Sequence, residues 1–137
     1  MMPTRESRTL TIRIERDVAT VYDFASKPEN LPRWAAGLGA AVTRRGDGWA
    51  VESSLGLLRL RFAPQNPYGV LDHGVTLPDG TEVDVPMRVV ANSTGAEVLF
   101  TLFRQPRMSA EDFERDAGLV AADLATLKHV LEHVPIG

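Results

Sequence analysis

The last thirty residues most constrain the fold of this chain. From Ser109 onward, apolar residues fall at Phe113, Ala117, Val120, Leu124, Leu127, Leu131 and Val134, in steps of three and four. That spacing lines all seven along one side of a single long α-helix. Glu111, Glu114, Arg115, Asp123 and Lys128 are assigned to the opposite face. Ser109 is a favourable N-cap, and Asp112 stands at the capping-box distance from it. A helix with so long a seam must rest it on another apolar surface. In a chain of 137 residues the size prior allows one domain, here residues 1–137, with a single core to supply that surface.

The rest of the chain supplies a sheet. Arg8 to Arg16 alternates, with Leu10, Ile12 and Ile14 on one side, which predicts a half-buried strand. Asp17 then caps a helix running to Ser26, and Pro28 opens a second short one reaching Ala35. After the Gly37/Gly39 break the predicted strands are Ala40–Arg45, Trp49–Ser53, Leu57–Ala63, Tyr68–Leu77, Thr81–Ala91 and Ala96–Arg104. Turn residues separate them: Gly46-Asp47-Gly48, Asn66-Pro67, Pro78-Asp79-Gly80 and Ser93-Thr94-Gly95. Strands at hairpin spacing imply an antiparallel meander, so the fold class is α+β.

Composition narrows the function. With no cysteine, the chain has no disulfide, thiol nucleophile or cysteine-bound metal. The net charge of −3 gives no reason to expect a nucleic-acid partner, and no apolar run approaches the length of a membrane span. Met1 to Arg8 lacks an apolar leader segment, so the expected location is the cytoplasm.

Four stretches carry a resemblance to a known family: Val21-Tyr22-Asp23-Phe24; Glu29-Asn30-Leu31-Pro32-Arg33-Trp34; Phe100-Thr101-Leu102-Phe103-Arg104 ahead of Met108-Ser109; and Asp123-Leu124-x-x-Leu127-Lys128. In their order of elements, from about Arg8 to His133, they resemble the helix-grip fold of the START-like (SRPBCC) superfamily. That superfamily includes polyketide cyclases and dehydrases, plant pathogenesis-related proteins and lipid-transfer domains. The resemblance implies a curved antiparallel sheet wrapped around the C-terminal helix, with a hydrophobic cavity between them. Such a cavity binds apolar molecules, with a few polar groups setting their orientation.

On that expectation the cavity wall draws on Leu58, Leu60, Phe62, Val85, Met87, Phe100, Phe113, Val120 and Leu124, with His73 and Trp34 as polar or aromatic handles. His73 shares its strand parity with Leu71, Val75 and Leu77. It is either a ligand-facing acid or base, the candidate catalytic residue, or a core histidine satisfied by a backbone carbonyl or by Arg88. Asp72 and Arg88 fall nearly level across one hairpin. Parity makes them an exposed cross-strand pair, and a one-residue slip would turn them inward toward His73. Trp34 is expected near the cavity mouth and Trp49 at its rim.

Two motif matches are set aside. His129-Val130-Leu131-Glu132-His133 spells H-x-x-E-H, but position 131 belongs to the buried stripe and both histidines fall toward solvent, so no metal site is assigned. Gly37-Leu38-Gly39 does not follow a strand, lacks the third glycine of a dinucleotide fingerprint and enters a strand. Ser53-Ser54 has no identifiable base, and Arg59, Arg61 and Arg104 outline a basic face with few aromatics.

The leading expectation is a cofactor-free protein, monomer or homodimer, that binds a small hydrophobic or aromatic molecule. The alternatives are a polyketide cyclase or dehydratase using His73, and a stress-response or interaction module using the Arg-bearing face.

Overall fold

The computed structural model describes residues 3–35, 41–53 and 56–135. The alternating N-terminal stretch forms β1 (Ser7–Ile14), with Ile14 fully buried. Asp17 starts α1 (Val18–Ala25): its carboxylate accepts from the Thr20 amide (3.1 Å) and the Thr20 hydroxyl (2.7 Å). These bonds satisfy amide groups that the first helical turn leaves unpaired. Pro28 opens a 3-10 turn (Pro28–Asn30) that runs into α2 (Leu31–Trp34). Then follow β2 (Val42–Arg45), β3 (Gly48–Ser53), β4 (Gly56–Phe62), β5 (His73–Thr76), β6 (Glu82–Val85), β7 (Met87–Asn92), β8 (Gly95–Phe103) and α3 (Ala110–His133). The Gly37/Gly39 break, the predicted strand start at Ala40, and Ser54 lie outside the described residues.

Among the described residues pairing is antiparallel throughout, in two sheets ordered β2-β3-β4-β5-β6 and β1-β8-β7. The first hairpin turns on Gly46 and Asp47 alone, because Gly48 is already in β3 and opposite Arg45.

Two predicted strands are broken. Thr81–Ala91 divides at Pro86, which has no N–H to give to a ladder. Its N-terminal half pairs with β5 and its C-terminal half with β8, while the Pro86 carbonyl accepts from the Thr101 amide (2.9 Å). The chain therefore passes from one sheet to the other at this proline, and β6 and β8 adjoin across the corner. Inward parity survives the change, so Val85 and Met87 are both buried.

Tyr68–Leu77 is reduced to β5 and a single bridge between Val70 and Arg88. The Asn66 side chain takes up the backbone instead. Its oxygen accepts from the Tyr68 and Val70 amides and its nitrogen donates to the Pro64 and Val70 carbonyls. A local side chain that satisfies four backbone groups competes directly with a sheet ladder. Tyr68 is left exposed at the tip of this loop.

The C-terminal helix begins as expected, with the Ser109 hydroxyl accepting from the Asp112 amide (3.0 Å). Its buried positions are Phe113, Ala117, Leu124, Leu127, Val130 and Leu131, packed on β1 and α2. Three details differ from the predicted seam. Val130 joins it, Val134 lies beyond the last turn and is exposed, and Lys128 leaves the solvent face. Lys128 Nζ donates to the Arg13 carbonyl and pairs with Glu132, each at 2.7 Å. Glu132 accepts from the Glu15 amide (2.7 Å), and Arg16 donates to the Leu131 carbonyl (2.7 Å). These contacts tie the helix end to the end of β1.

No helix among the described residues is long and apolar enough to cross a membrane.

Candidate functional site

Between α2, α3 and the inner faces of β4 to β8 lies a cavity of about 150 Å³. Each element contributes the residues its periodicity turns inward. Leu60 and Phe62 come from β4, His73 and Val75 from β5, Val85 from β6, Met87 from β7 and Phe100 from β8. Leu31, Trp34 and Ala35 close one side, joined by Ala25 of α1, and Val120, Asp123 and Leu124 of α3 form the roof.

Of the eleven residues expected at the wall, nine surround this cavity: Trp34, Leu60, Phe62, His73, Val85, Met87, Phe100, Val120 and Leu124. Leu58 and Phe113 do not. Leu58 is buried opposite Val51, one inward position farther along β4 than Leu60. Phe113 is buried near the start of α3, about 10 Å along the axis from Val120.

The sequence reading missed Asp123, which it placed on the solvent face. At about 100° per residue, position 123 lies only ~60° from Val120 and ~40° from Leu127, at the border of the seam. The helical arithmetic that found the seam could also have found this carboxylate. Val75, too, was marked by its shared parity with His73.

His73 is the polar centre of the wall. Its ring stacks on Phe62 (centroids 5.0 Å apart) and meets Phe100 edge-on (6.0 Å). Nδ1 lies 3.0 Å from the Leu71 carbonyl oxygen. A carbonyl oxygen only accepts, so Nδ1 carries the proton and the neutral ring presents Nε2 as an acceptor. Nε2 makes no hydrogen bond to a described residue. Burial among apolar groups pushes the imidazole pKa below its ordinary value, and the Leu71 carbonyl and Asp72 carboxylate oppose this only in part. The side chain is thus a neutral base, and its Nδ1 is satisfied by a backbone carbonyl.

This has a pH consequence. Below the ordinary imidazole pKa of 6.5, the unfolded chain takes up a proton at position 73 that the folded protein resists. The contribution is intact above pH 6.5 and is lost as the pH falls below it, at up to about 1.4 kcal/mol per pH unit. Asp17, Asp79 and Asp112, which hydrogen bonds hold below the usual carboxylate range, titrate at lower pH. Thermal melts between pH 7.5 and 5 are therefore expected to fall more steeply for the native protein than for His73→Phe. Parallel profiles would contradict a shielded imidazole.

The other candidates lie elsewhere. The Arg88 guanidinium pairs with Asp72, which also accepts from the Met87 amide (2.8 Å). Both side chains are more than two-fifths exposed, so they form a surface pair and do not join His73. Trp34 is buried, and its indole nitrogen is sealed in the packing without a hydrogen-bond partner. Trp49 does not border the cavity. It lies under the Arg44 guanidinium (5.6 Å) and beside a separate groove.

The arginines of the anticipated basic face have acidic neighbours, with Arg45 also lining the groove. Arg59 and Arg61 share their groove with Asp47, Glu82 and Asp84, while Arg104 is held by Glu6 (3.1 Å) and the Met108 carbonyl (2.8 Å). His129 and His133 are exposed, their rings 5.1 Å apart and tilted by 41°, and Glu132 between them is engaged by Lys128 and the Glu15 amide.

No family model matches the chain, and no curated protein matches its sequence. Solved structures do match. XoxI from Bacillus cereus is 13% identical over 91% of this chain and 94% of its own, with a TM-score of 0.74. Ara h 8.0201 is 8% identical over 92% of this chain and 97% of its own, with a TM-score of 0.71. DynU16, a protein of the dynemicin biosynthetic locus, is 16% identical over 93% of this chain, with a TM-score of 0.69; the match spans only 47% of DynU16. Likeness at such identities is one of fold. The antiparallel sheets, the paired short helices after β1 and the long terminal helix make this a helix-grip fold, shared with those structures.

Proposed function

We propose that the protein binds a compact hydrophobic or aromatic molecule in the cavity beneath α3. The observation that carries this reading is a largely apolar hollow of about 150 Å³ lined by side chains from β4 to β8 and from the helices. A close-packed core leaves few voids larger than a water molecule. A void of this volume accepts a molecule of benzene size. It is smaller than the roughly 300–1,000 Å³ of pockets for drug-sized ligands, which favours a single ring. Asp72 and Arg88, which the sequence offered as assistants to His73 in acid–base turnover, are engaged with each other at the surface.

Titration with toluene, followed by amide and methyl NMR, tests the reading. Saturable shifts are expected at Val85, Leu124 and Phe100. They should disappear in Val120→Phe, which fills the void from a half-buried position at its roof. Shifts that do not saturate, or that persist in Val120→Phe, would refute it.

A further inference from the structure

We infer that the outer face of β4, β5 and β6 is a dimer interface, on which a second copy of this chain docks sheet against sheet. The alternation that turns Leu60 and Phe62 inward turns Arg59 and Arg61 outward, and residues opposite one another in a ladder share a face. Two rows therefore cross the three strands: Arg61, Gly74 and Asp84, and beside it Arg59, Thr76 and Glu82. All six residues line a groove of about 690 Å³, on the opposite side of these strands from the cavity. Cations stand on β4 and carboxylates on β6, about 10 Å apart at the usual strand spacing.

Charges on a sheet are ordinarily neutralised by a neighbour across the ladder. Here the neighbours on β5 are a glycine and a threonine, and none of the four charges forms an ion pair with a described residue. Gly74 is an independent sign. A glycine inside a strand weakens it and often marks a place where another backbone comes close. The fold itself does not require one at this position. Gly74 has no left-handed φ, and a Cβ there would meet only Asp84 Oδ1, at an ordinary 4.0 Å.

A second copy supplies the missing charges by symmetry. A two-fold axis lying along β5, in the plane between the facing sheets, exchanges β4 with β6. Each row then meets itself: Arg61 faces the partner's Asp84, Arg59 faces the partner's Glu82, and the reciprocal pairs follow. Gly74 lies on the axis, where the lack of a side chain lets the two sheets approach. The contact spans three strands and is held by charge at a solvated face, so the dimer is weak and salt-sensitive.

Sedimentation equilibrium of the full chain, from roughly 10 μM to 1 mM, tests this. A monomer–dimer equilibrium is expected in about 50 mM salt, with a dissociation constant at least about tenfold higher in about 500 mM salt. Gly74→Val is expected to melt at or above the native temperature, because valine suits a strand better, and yet to be monomeric throughout. That result separates loss of the interface from loss of the fold. The double variants Arg59→Glu/Arg61→Glu and Glu82→Arg/Asp84→Arg should each be monomeric alone. Mixed in equal amounts they should form a one-to-one heterodimer, because the two reversals together restore every pair. A native protein that stays monomeric through this range in low salt overturns the inference, whatever else the groove then binds. So does a dimer that is indifferent to salt or survives Gly74→Val or either charge reversal, and so does a mixture of the double variants that fails to associate.

Discussion

Replacing Leu127 by alanine is expected to cost about 2–5 kcal/mol of stability, the range for a fully buried leucine truncated in a core that cannot collapse around the loss. Leu127 has no exposed surface and sits in the part of the α3 seam packed on β1. It lies one turn beyond Leu124, whose side chain forms part of the cavity roof. The seat of the helix therefore sets both the stability of the fold and the position of the cavity wall. The matched control is Leu119→Ala on the same helix, where the side chain is 54% exposed and the expected change is within about 0.5 kcal/mol. Denaturant unfolding of both variants gives the comparison as a shift in midpoint at constant slope. A loss below about 1 kcal/mol for Leu127→Ala would mean that the helix is not clamped into the core, and the cavity would lose its roof.

Gly69→Ala is expected to be nearly as damaging, roughly 3 kcal/mol or more, although glycine 69 is in a loop. Its φ of +72° is a conformation that side-chain-bearing residues rarely adopt, and a Cβ there would lie within 3.0 Å of the Val89 carbonyl oxygen. The contact cannot relax cheaply. The Val89 amide donates to the Gly69 carbonyl (2.9 Å), the Leu71 amide donates to the Met87 carbonyl (2.9 Å), and Val89 is itself in the core. This short segment covers the free edge of β7, so pushing it away uncovers backbone groups as well as straining one residue. Gly80→Ala separates the two contributions. Its φ is +91° but nothing lies within 4 Å of a Cβ there, so only the conformational cost of roughly 1–2 kcal/mol is expected. Equal losses in the two variants would show that the approach to Val89 carries no weight.

Much of the architecture was legible from local pattern. The α3 seam, the alternation in β1 and β4, the Asp17 and Ser109 caps and the turn residues are each set by interactions within a few residues, and these fixed the elements and their inward faces. The parity of His73, the surface pairing of Asp72 with Arg88 and the outward histidines of α3 follow from the same two periods. The interruption at Pro86 was visible as a residue, yet its effect was not: a missing amide ends a ladder, but the next partner is chosen by long-range packing. Asn66 likewise decides locally that the following residues leave the sheet, through four side-chain bonds whose geometry exists only in the folded loop.

The site depended on the tertiary structure in a stronger sense. Whether Leu58 and Phe113 border the hollow or lie in solid core depends on how far along the sheet and helix it extends, and periodicity states direction without stating extent. Asp123 faces inward because the rotation of α3 on its seat brings a border position over the cavity. The volume itself is a small difference between the space enclosed by the packed strands and helices and the side chains that fill it. The sequence by itself determined which faces are apolar and in what order they come. The distance at which those faces are held apart, and so the size and polarity of what fits between them, was decided only by the assembled fold, because that distance is set by all the packed contacts at once.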